Sequence, residues 1–292
     1  MSDRCVILLN HKAGALHAKV GHAQVEKMAR EIGLDAEVIS SASTDEMRQT
    51  VKRLVREGAA KIGVAGGDGT VGIAIQELAH TNTALAIIAQ GTFNNFASAL
   101  RLPNAIPSAL QVLKDGEVRE VSLGKIGGTY FKEAAGVGLF ADSLALYGAG
   151  SNKNFARGLY AMTRVGLAFR PHRFQITVDG KVHEERAVLC TVANSYRMAQ
   201  ALPIAPFAKV TDDVLDIVIV GNLKRKEILP YYKAIRAQMH LDLPKVTMLQ
   251  GKEIQIKASR RLNVHSDDHI EGTTPVTITV DPRALKVLVD KL

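Results

Sequence analysis

The chain has 292 residues, of which 47% are hydrophobic and 23% are charged, and its formal net charge is +8 at pH 7. This length predicts two domains, and the ordinary balance of residues excludes a disordered or low-complexity chain. Two cysteines are too few for a disulfide framework, so we expect Cys5 and Cys190 to be buried free thiols in a reducing compartment.

The first part of the chain alternates short apolar runs with stretches of helical periodicity. Strands are predicted at Cys5–Asn10, Ala36–Ser40, Lys61–Ala65 and Ala84–Ala89, and helices at Gly21–Ile32, 43–57, 70–78, Phe96–Leu100 and Ile106–Leu113. This alternation predicts a doubly wound parallel sheet with helices on both faces. Ligands of such sheets bind beyond the carboxyl ends of the strands, where loops follow Asn10, Ala65 and Ala89.

The second part of the chain changes character. Helical spacing between Asp142 and Ala168 gives way, after Pro171, to runs rich in Val and Ile that predict an antiparallel β-sandwich. These runs are Phe174–Val178, Ala187–Ala193, Leu215–Val220, Glu253–Ala258, Leu262–Val264, Val276–Val280 and Ala284–Val289, and Leu223–His240 reads as an inserted helix. We place the boundary near Ser122–Gly128, which gives an α/β domain at 1–124 and a β-sandwich domain at 125–282.

The positive charge suits a partner with anionic phosphates, such as a nucleic acid or lipid headgroups. Basic residues are dispersed, with small clusters at Lys224–Lys226 and Arg260–Arg261, and no nucleic-acid-binding motif accompanies them. We therefore expect no nucleic-acid partner. No run approaches the roughly 18 apolar residues of a membrane helix, and the N-terminal apolar run is too short for a signal peptide. We expect a soluble, cytoplasmic protein.

The strongest local signal is Gly66-Gly67-Asp68-Gly69-Thr70, which follows a predicted strand and opens a predicted helix. Glycines at such a point let the backbone turn sharply and approach a ligand closely. The N–H groups at the helix start, assisted by the helix dipole, then form a site for phosphate. A tight turn without a ligand is the plain alternative, and three glycines around one acid argue against it.

Two other phosphate-binding patterns fit this segment less well. A Walker loop needs Gly-Lys followed by Ser or Thr, and no such lysine is present. Gly67, Gly69 and Gly72 match a dinucleotide fingerprint, but Ile88–Gly91 lacks the acid expected about 20 residues on. Asp68 would also repel a pyrophosphate unless a cation lay between them. These mismatches disfavour an NAD(H) dehydrogenase.

Four segments together carry a family resemblance. Gly66–Thr70 is similar to the signature of diacylglycerol, sphingosine and ceramide kinases and of NAD kinases. Asn10–Gly14 resembles the lipid-kinase loop Asn-Pro-x-Ser-Gly, and Gly91–Ala97 resembles Gly-Thr-x-Asn-Asp-Phe-Ala. Ile204–Asp216 resembles Leu-Ala-Pro…Asp-Asp-Gly-x-Leu-Asp. Because the matches run in order through most of the chain, it resembles the diacylglycerol kinase catalytic family.

This resemblance implies a fold and an activity. The fold is a nucleotide-binding α/β domain followed by a β-sandwich domain that binds the lipid substrate, with the final strand, about 283–292, returning to the first domain. The activity is transfer of the γ-phosphate of ATP, with Mg²⁺, to a hydroxyl of a diacylglycerol-like lipid. The partners are then the lipid and an anionic membrane surface, on which the protein would dock peripherally at the inner face.

The resemblance also implies residue roles. Asp68 would work with the nucleotide and its Mg²⁺, and Asp267 falls on the position of the general base. Asp212 and Asp216 keep two acids of a segment that holds a structural Mg²⁺ in some relatives. The remaining nucleotide-binding positions lie in the three loops at the strand ends: Asn10, Gly14, Gly66, Gly67, Gly69, Thr70, Gly91, Thr92 and Asn94.

Several positions depart from the family pattern. Asn95 stands where the family has Asp, Thr211 and Asp213 replace an Asp and a Gly, and Asp268 and His269 replace the Gly and Glu beside the base. The departures leave two alternatives to a lipid kinase open: a divergent nucleotide-binding protein with lost or altered transfer, and an NAD kinase that shares the Asp68 loop.

Two further features are a pair of histidines and a stretch that mixes apolar and basic residues. His265 and His269 lie four residues apart on β-like flanks, so we expect solvated loop histidines rather than a zinc site. Asp142–Arg173 mixes apolar residues with Lys153 and Arg157 and is the candidate lipid-facing stretch. The alternative is that its apolar residues are core.

Overall fold

The computed structural model describes residues 4–10, 21–147, 164, 170–199 and 201–291. The chain divides into two compact units: unit 1 with Met1–Leu123 and Pro282–Leu292, and unit 2 with Gly124–Asp281. Two long strands, Glu117–Ile126 and Val276–Val289, therefore pass along the chain from one unit to the other.

Unit 1 is built on a parallel sheet. Its first elements are β1 (Cys5–Asn10), α1 (His22–Glu31), β2 (Glu37–Ser41), α2 (Thr44–Arg56), β3 (Lys61–Gly66), α3 (Asp68–Leu78), β4 (Ala84–Ala89), α4 (Asn95–Ala99), α5 (Ile106–Asp115) and the start of β5 (Glu117–Ile126). β1 lies between β2 and β3, and β4 lies beside β3. The predicted alternation of strands and helices is confirmed.

The core of unit 1 explains why its strands are continuous apolar runs. Val6, Ile7, Leu8, Ile62 and Leu85 have no exposed surface. Strands of a parallel sheet are covered by helices on both faces, so successive residues are buried rather than alternately exposed. The polar and glycine residues are thereby left to the carboxyl end of β1 and to the loops after β3 and β4.

Unit 2 is mainly antiparallel. Its elements are β6 (Thr129–Phe131), β7 (Ala134–Gly138), α6 (Leu139–Tyr147), β8 (His172–Val178), β9 (Lys181–Ala193), β10 (Leu215–Gly221), α7 (Ile228–Arg236), β11 (Val246–Gly251), β12 (Glu253–Ala258), β13 (Asn263–Ser266), β14 (His269–Thr273) and the start of β15 (Val276–Val289). The strand β9 pairs with β7, β8 and β10. Neighbouring residues of β9 and β10, such as Val192 and Ala193, belong to two apolar clusters on opposite faces, as a β-sandwich requires.

Two predicted elements differ in extent. The two strands predicted at Val276–Val280 and Ala284–Val289 form the single strand β15. Its start pairs with β12 and Val287 pairs with Leu85 of β4, so Pro282 lies where the pairing partner changes. Proline has no N–H to donate to a β-ladder, so it is tolerated where the pairing changes and no donor is needed. The helix predicted at Leu223–His240 is shorter and begins with a 3₁₀ turn before α7.

None of the helices among the described residues is long and apolar enough to cross a bilayer. Cys5 and Cys190 are buried free thiols, as predicted. Burial raises the pKa of Cys5 to about 11 and that of Cys190 to about 12. Both side chains therefore act as small apolar core residues at neutral pH.

Candidate functional site

The glycine-rich loop of unit 1 joins β3 directly to α3. Gly67 is the residue before the helix, with an extended backbone (φ −91°, ψ −175°), and no side chain caps the helix start. The first N–H groups of an α-helix have no acceptor within the helix, and they carry the positive end of its dipole. This end of α3 is therefore suited to an anion such as a phosphate.

Glycine is required where two loops of unit 1 meet. A Cβ added to Gly91 would lie 2.5 Å from the Cα of Gly67 and 2.7 Å from Oδ1 of Asn94. A Cβ on Gly66 would lie 2.6 Å from the Cβ of Thr70. These distances are shorter than real Cβ contacts, so the loops after β3 and β4 can touch only as glycine backbones.

We expect Gly91→Ala to weaken nucleotide binding at least about tenfold and to lower the free energy of unfolding by roughly 1–3 kcal/mol, because the added methyl group forces the two loops apart. Isothermal titration with a non-hydrolysable ATP analogue and urea denaturation would measure the two effects. Gly128→Ala is the matched control, since nothing lies within 4 Å of its added Cβ. Unchanged binding by Gly91→Ala would show that the close approach is not needed for the nucleotide.

Asp68 connects the starts of two helices. It is the first residue of α3, and its carboxylate accepts hydrogen bonds from the N–H groups of Asn95 (3.1 Å) and Phe96 (3.3 Å) at the start of α4. The carboxylate thus fixes the loop after β4 relative to the loop after β3. It is only half-buried, so part of it faces solvent where a nucleotide-bound cation could reach it.

Two asparagines complete this arrangement. Asn94, in a left-handed conformation (φ 48°), accepts a hydrogen bond from the Gly91 N–H (2.9 Å) and donates one to the Gly91 carbonyl (3.0 Å). Asn10 donates from Nδ2 to Oγ1 of Thr70 at 3.0 Å, which ties the end of β1 to the start of α3. Polar side chains thus join the end of β1 to the start of α3 and hold the loop after β4 in place.

The structure brings together most of the predicted nucleotide-binding residues of unit 1. Gly69 and Thr92 belong to the same loops and are exposed. Gly14 lies outside the described residues. Asn95, which departs from the family pattern, is buried at the start of α4, and its backbone N–H binds Asp68.

Asp267 of unit 2 lies in the tight turn between β13 and β14, with φ 48°. Its Oδ1 accepts hydrogen bonds from the N–H groups of Glu133 (2.9 Å) and Ala134 (3.3 Å). Its Oδ2 accepts from the N–H of Lys132 (3.2 Å) and from the Lys132 ammonium (2.9 Å). The carboxylate is held by three backbone amides and one cation.

Lys132 and Glu133 are the residues that sequence reasoning missed. The Lys132 side chain is 3% exposed and its Nζ also lies 3.3 Å from Oε1 of Glu133, whose side chain is 7% exposed. Buried charges are stable only when paired, so Lys132 and Glu133 form one ionic network with Asp267. The available signal was the charged pair inside the apolar run Tyr130–Val137.

His269 lies beside this network at the start of β14. Its Nε2 is 2.9 Å from Oε2 of Glu271, and its Nδ1 is 3.8 Å from Oδ1 of Asp268. The hydrogen bond with Asp268 raises the pKa of His269, Glu271 adds to this, and partial burial opposes it. Asp268 and His269, which replace the family's Gly and Glu, therefore favour a positively charged His269 ring next to the turn.

The interpretation of both histidines as solvated loop residues is wrong for His265. This residue lies on β13, is fully buried, and its ring stands edge-on to Phe140 at 4.6 Å. Burial lowers the pKa of His265 to about 4, so the ring is neutral at physiological pH. No group of three or more His, Cys, Asp or Glu in the described part of the chain could hold a metal ion.

Asp216 on β10 is fully buried, and its Oδ1 accepts a hydrogen bond from Nε2 of Gln250 at 3.0 Å. Its Oδ2 has no partner among the described residues. Burial raises the pKa of Asp216 to about 6; the hydrogen bond from Gln250 opposes this rise and the charge of Asp212 contributes to it. A Mg²⁺ ion here would have two carboxylates available and would need backbone carbonyls or water for its remaining ligands.

In metal-free protein we expect stability to fall as pH rises from about 4 to about 6, because the folded state keeps a proton on Asp216 that the unfolded chain has lost. Above about pH 6 this loss of folding stability is complete, and it is on the order of 2–3 kcal/mol. Asp216→Asn should remove it and be more stable than the parent at pH 7.5. Urea denaturation in the presence of a chelator, at about pH 5 and about pH 7.5, would measure the stability of both proteins. Asp35→Asn is the control, because Asp35 is exposed. Equal stability of parent and Asp216→Asn at pH 7.5 would contradict it.

Comparison with known proteins agrees with this geometry. Residues 4–126 match the family described as "Diacylglycerol kinase catalytic domain". Residues 146–289 match "YegS C-terminal NAD kinase beta sandwich-like domain". Together the two matches are consistent with the bacterial lipid kinase family. Between them, the two matches span most of both units.

Relatives of this lipid kinase family match along nearly the whole chain. A protein named diacylglycerol kinase from Mycobacterium tuberculosis (strain CDC 1551 / Oshkosh) is 27% identical over 92% of this chain and 89% of its own length. One from Staphylococcus carnosus (strain TM300) is 24% identical over 94% and 91%. A crystal structure of a diacylglycerol kinase from Bacillus anthracis str. Sterne has a TM-score of 0.76, 21% identity, and coverage of 99% and 97%, which confirms the fold class.

Proposed function

We propose that this protein is an ATP-dependent lipid kinase that transfers the γ-phosphate of ATP to the hydroxyl of a diacylglycerol-like lipid. One observation carries the proposal: the glycine loop before α3 meets the loop after β4 as bare backbone, with Asp68 between the starts of two helices. This arrangement suits a nucleotide phosphate, and the family relationship supplies the lipid acceptor.

In this proposal unit 1 holds the nucleotide. The backbone N–H groups at the start of α3 would bind phosphate oxygens, and Gly66, Gly67 and Gly69 would let them approach closely. Asp68 would face the nucleotide-bound Mg²⁺, whose chemistry is to neutralise charge that develops on the phosphates. Asn10, Thr92 and Asn94 would complete the wall of the nucleotide site. The helix dipole and the amides add fixed partial charges that need no rearrangement during transfer.

Unit 2 would supply the lipid site and the proton acceptor. Asp267 would take the proton of the lipid hydroxyl as it attacks, which is the ordinary role of a carboxylate in phosphoryl transfer. Four donors already occupy much of its capacity, since a carboxylate offers about four acceptor sites. Lys132 would therefore act as a positioning residue that fixes the carboxylate.

The experiment is transfer of labelled γ-phosphate from ATP to a mixed lipid extract in detergent micelles with Mg²⁺. A labelled lipid that also requires Asp68 would support the proposal and yield the product for identification. Labelled NADP from NAD would favour an NAD kinase instead. ATP binding without any labelled product would favour a divergent nucleotide-binding protein, an alternative motivated by Asn95 and by the four donors on Asp267.

A structural Mg²⁺ at Asp212 and Asp216 is a separate proposal. It is supported by the unpartnered Oδ2 of Asp216 and by the charge of Asp212 nearby. Millimolar Mg²⁺ would then raise the melting temperature of the parent at pH 7.5 and leave Asp216→Asn unchanged. Equal shifts in both proteins would argue against an ion at this pair.

A further inference from the structure

The helix α7 presents two chemically different faces. Tyr231 and Ile235 are buried in one of the apolar clusters of unit 2. Leu229, Tyr232, Lys233 and Arg236 follow the i, i+3, i+4 and i+7 spacing, so they share the opposite side of the helix. We call these four residues the α7 face.

The α7 face exposes large apolar side chains. Leu229 is 60% exposed and Tyr232 is 36% exposed, and Met239, just after the helix, is 65% exposed. Phe207, also 65% exposed, lies in a segment whose residues Ile204 and Ala208 pack in the same cluster as the buried side of α7. Single exposed apolar residues are common, but several around one short helix indicate a contact surface.

The helix is firmly attached to unit 2. Besides Tyr231 and Ile235, the buried residue His240 anchors the chain after the helix, since its Nε2 lies 2.8 Å from the carbonyl oxygen of Ile204. Burial lowers the pKa of His240, which keeps the ring neutral. The exposed side chains are thus carried by an element whose other side is fixed in the core.

The charges around the α7 face are strongly one-sided. A basic turn, Lys224–Lys226, lies exposed just before the helix, and Lys233 and Arg236 lie on the helix itself. Of two nearby acids, Glu227 is paired with Lys245 at 2.7 Å and Asp242 lies exposed in the 3₁₀ turn after Met239, so basic residues outnumber acids. The surface is therefore positive as well as apolar, and its electrostatic complement is anionic.

This combination fits one kind of partner best. An amphipathic segment at a membrane surface places apolar side chains at the acyl boundary while its Lys and Arg meet anionic headgroups. Long basic side chains can keep their charges at the headgroups while their stems lie along apolar surface. A nucleic acid would match the charge but would leave Leu229 and Met239 without an apolar contact.

We propose that the α7 face, together with the basic turn and Met239, docks on an anionic membrane surface. The inference rests on the proposed function, because a kinase of diacylglycerol-like lipids must draw its substrate from such a surface. It assigns the docking role to α7. The stretch Asp142–Arg173, which the sequence suggested for this role, lies largely outside the described residues.

The test is sedimentation of the full-length protein with vesicles, without ATP. Vesicles of equal parts phosphatidylglycerol and phosphatidylcholine would be compared with pure phosphatidylcholine, at low and high salt. One variant is Lys226→Glu/Lys233→Glu, matched by Lys181→Glu/Lys257→Glu on exposed residues of unit 2. The other is Leu229→Ser, matched by Val182→Ser, whose side chain is 56% exposed. Melting curves would verify that each variant folds.

We expect binding to the anionic vesicles only, weakened by salt. Each lost positive charge is worth roughly a fivefold change in partitioning, so the charge-reversal pair should lose about 25-fold or more, while its control keeps most binding. Leu229→Ser should lose about fivefold or more and Val182→Ser little. Transfer to a short-chain lipid in solution should stay at the parental rate in the α7 variants.

Several results would overturn the docking role. These are parental binding by the α7 variants, equal losses in the controls, or a parent that does not bind anionic vesicles. Failure of the proposed function looks different. In that case the parent would bind anionic vesicles through α7 and still transfer no phosphate to any lipid.

Discussion

Asp68→Ala is expected to reduce phosphoryl transfer by roughly 10²–10³-fold or more, because in the proposed mechanism it removes the carboxylate that would face the nucleotide-bound cation. The same change removes the acceptor for the Asn95 and Phe96 N–H groups, so the loop after β4 loses its tie to α3. Loss of such a cap costs about 1 kcal/mol of stability. Initial rates of labelled-phosphate transfer and urea denaturation would measure the two effects separately.

Asp68→Asn distinguishes these two roles. The amide oxygen can still accept one of the two hydrogen bonds, so stability should recover in part, whereas the charge that the cation needs stays absent. Asp45→Asn is the matched control, since Asp45 is an exposed acid in the first turn of α2. Near-parental transfer by Asp68→Asn would refute a role for the Asp68 charge in catalysis.

Asp267→Ala is expected to lower the free energy of unfolding of unit 2 by about 3–5 kcal/mol, because it removes one of the two carboxylates paired with the buried Lys132 ammonium and leaves three backbone N–H groups without their acceptor. It should also reduce transfer by roughly 10²–10⁴-fold if Asp267 is the general base. A simple loss of activity would therefore be ambiguous. Denaturation curves and transfer rates must be measured on the same preparations.

The triple variant Asp267→Ala/Lys132→Met/Glu133→Gln separates folding from chemistry. It removes all three charges of the buried network, so no buried ion is left without a partner and most of the stability should return. Transfer should remain low, because no proton acceptor has been restored. If the triple variant regains both stability and transfer, Asp267 is structural and another group takes the proton. A pH–rate profile of the parent, compared with Lys132→Met, would report on the positioning role.

Much of unit 1 could be predicted because its signals are local. The runs Cys5–Asn10 and Ala84–Ala89 are apolar throughout, and glycine or polar residues end each of them. Gly66 and Gly67 mark a turn that side chains would block, and the structure shows what they would meet. Each inference depended on residues close together in the sequence, where backbone preferences are strong.

Unit 2 was less predictable because its contacts join distant residues. The short strands β6 and β7 were not predicted, and the partners of Asp267 lie about 130 residues earlier in the chain, at Lys132 and Glu133. Period-two alternation does not show which strands pair, and His265 looks like a loop residue until β7 lies beside it. The missed features are thus those that long-range pairing creates.

The path of β15 has a consequence for how the protein is made. Its residues after Pro282 complete the parallel sheet by pairing with β4, yet they are synthesised only after the whole of unit 2. Until then the apolar strand β4, with Leu85 and Ile87, lacks one of its neighbours and offers an open sheet edge. A fragment that ends near residue 124 would keep that edge permanently, so unit 1 made without its C-terminal segment should aggregate.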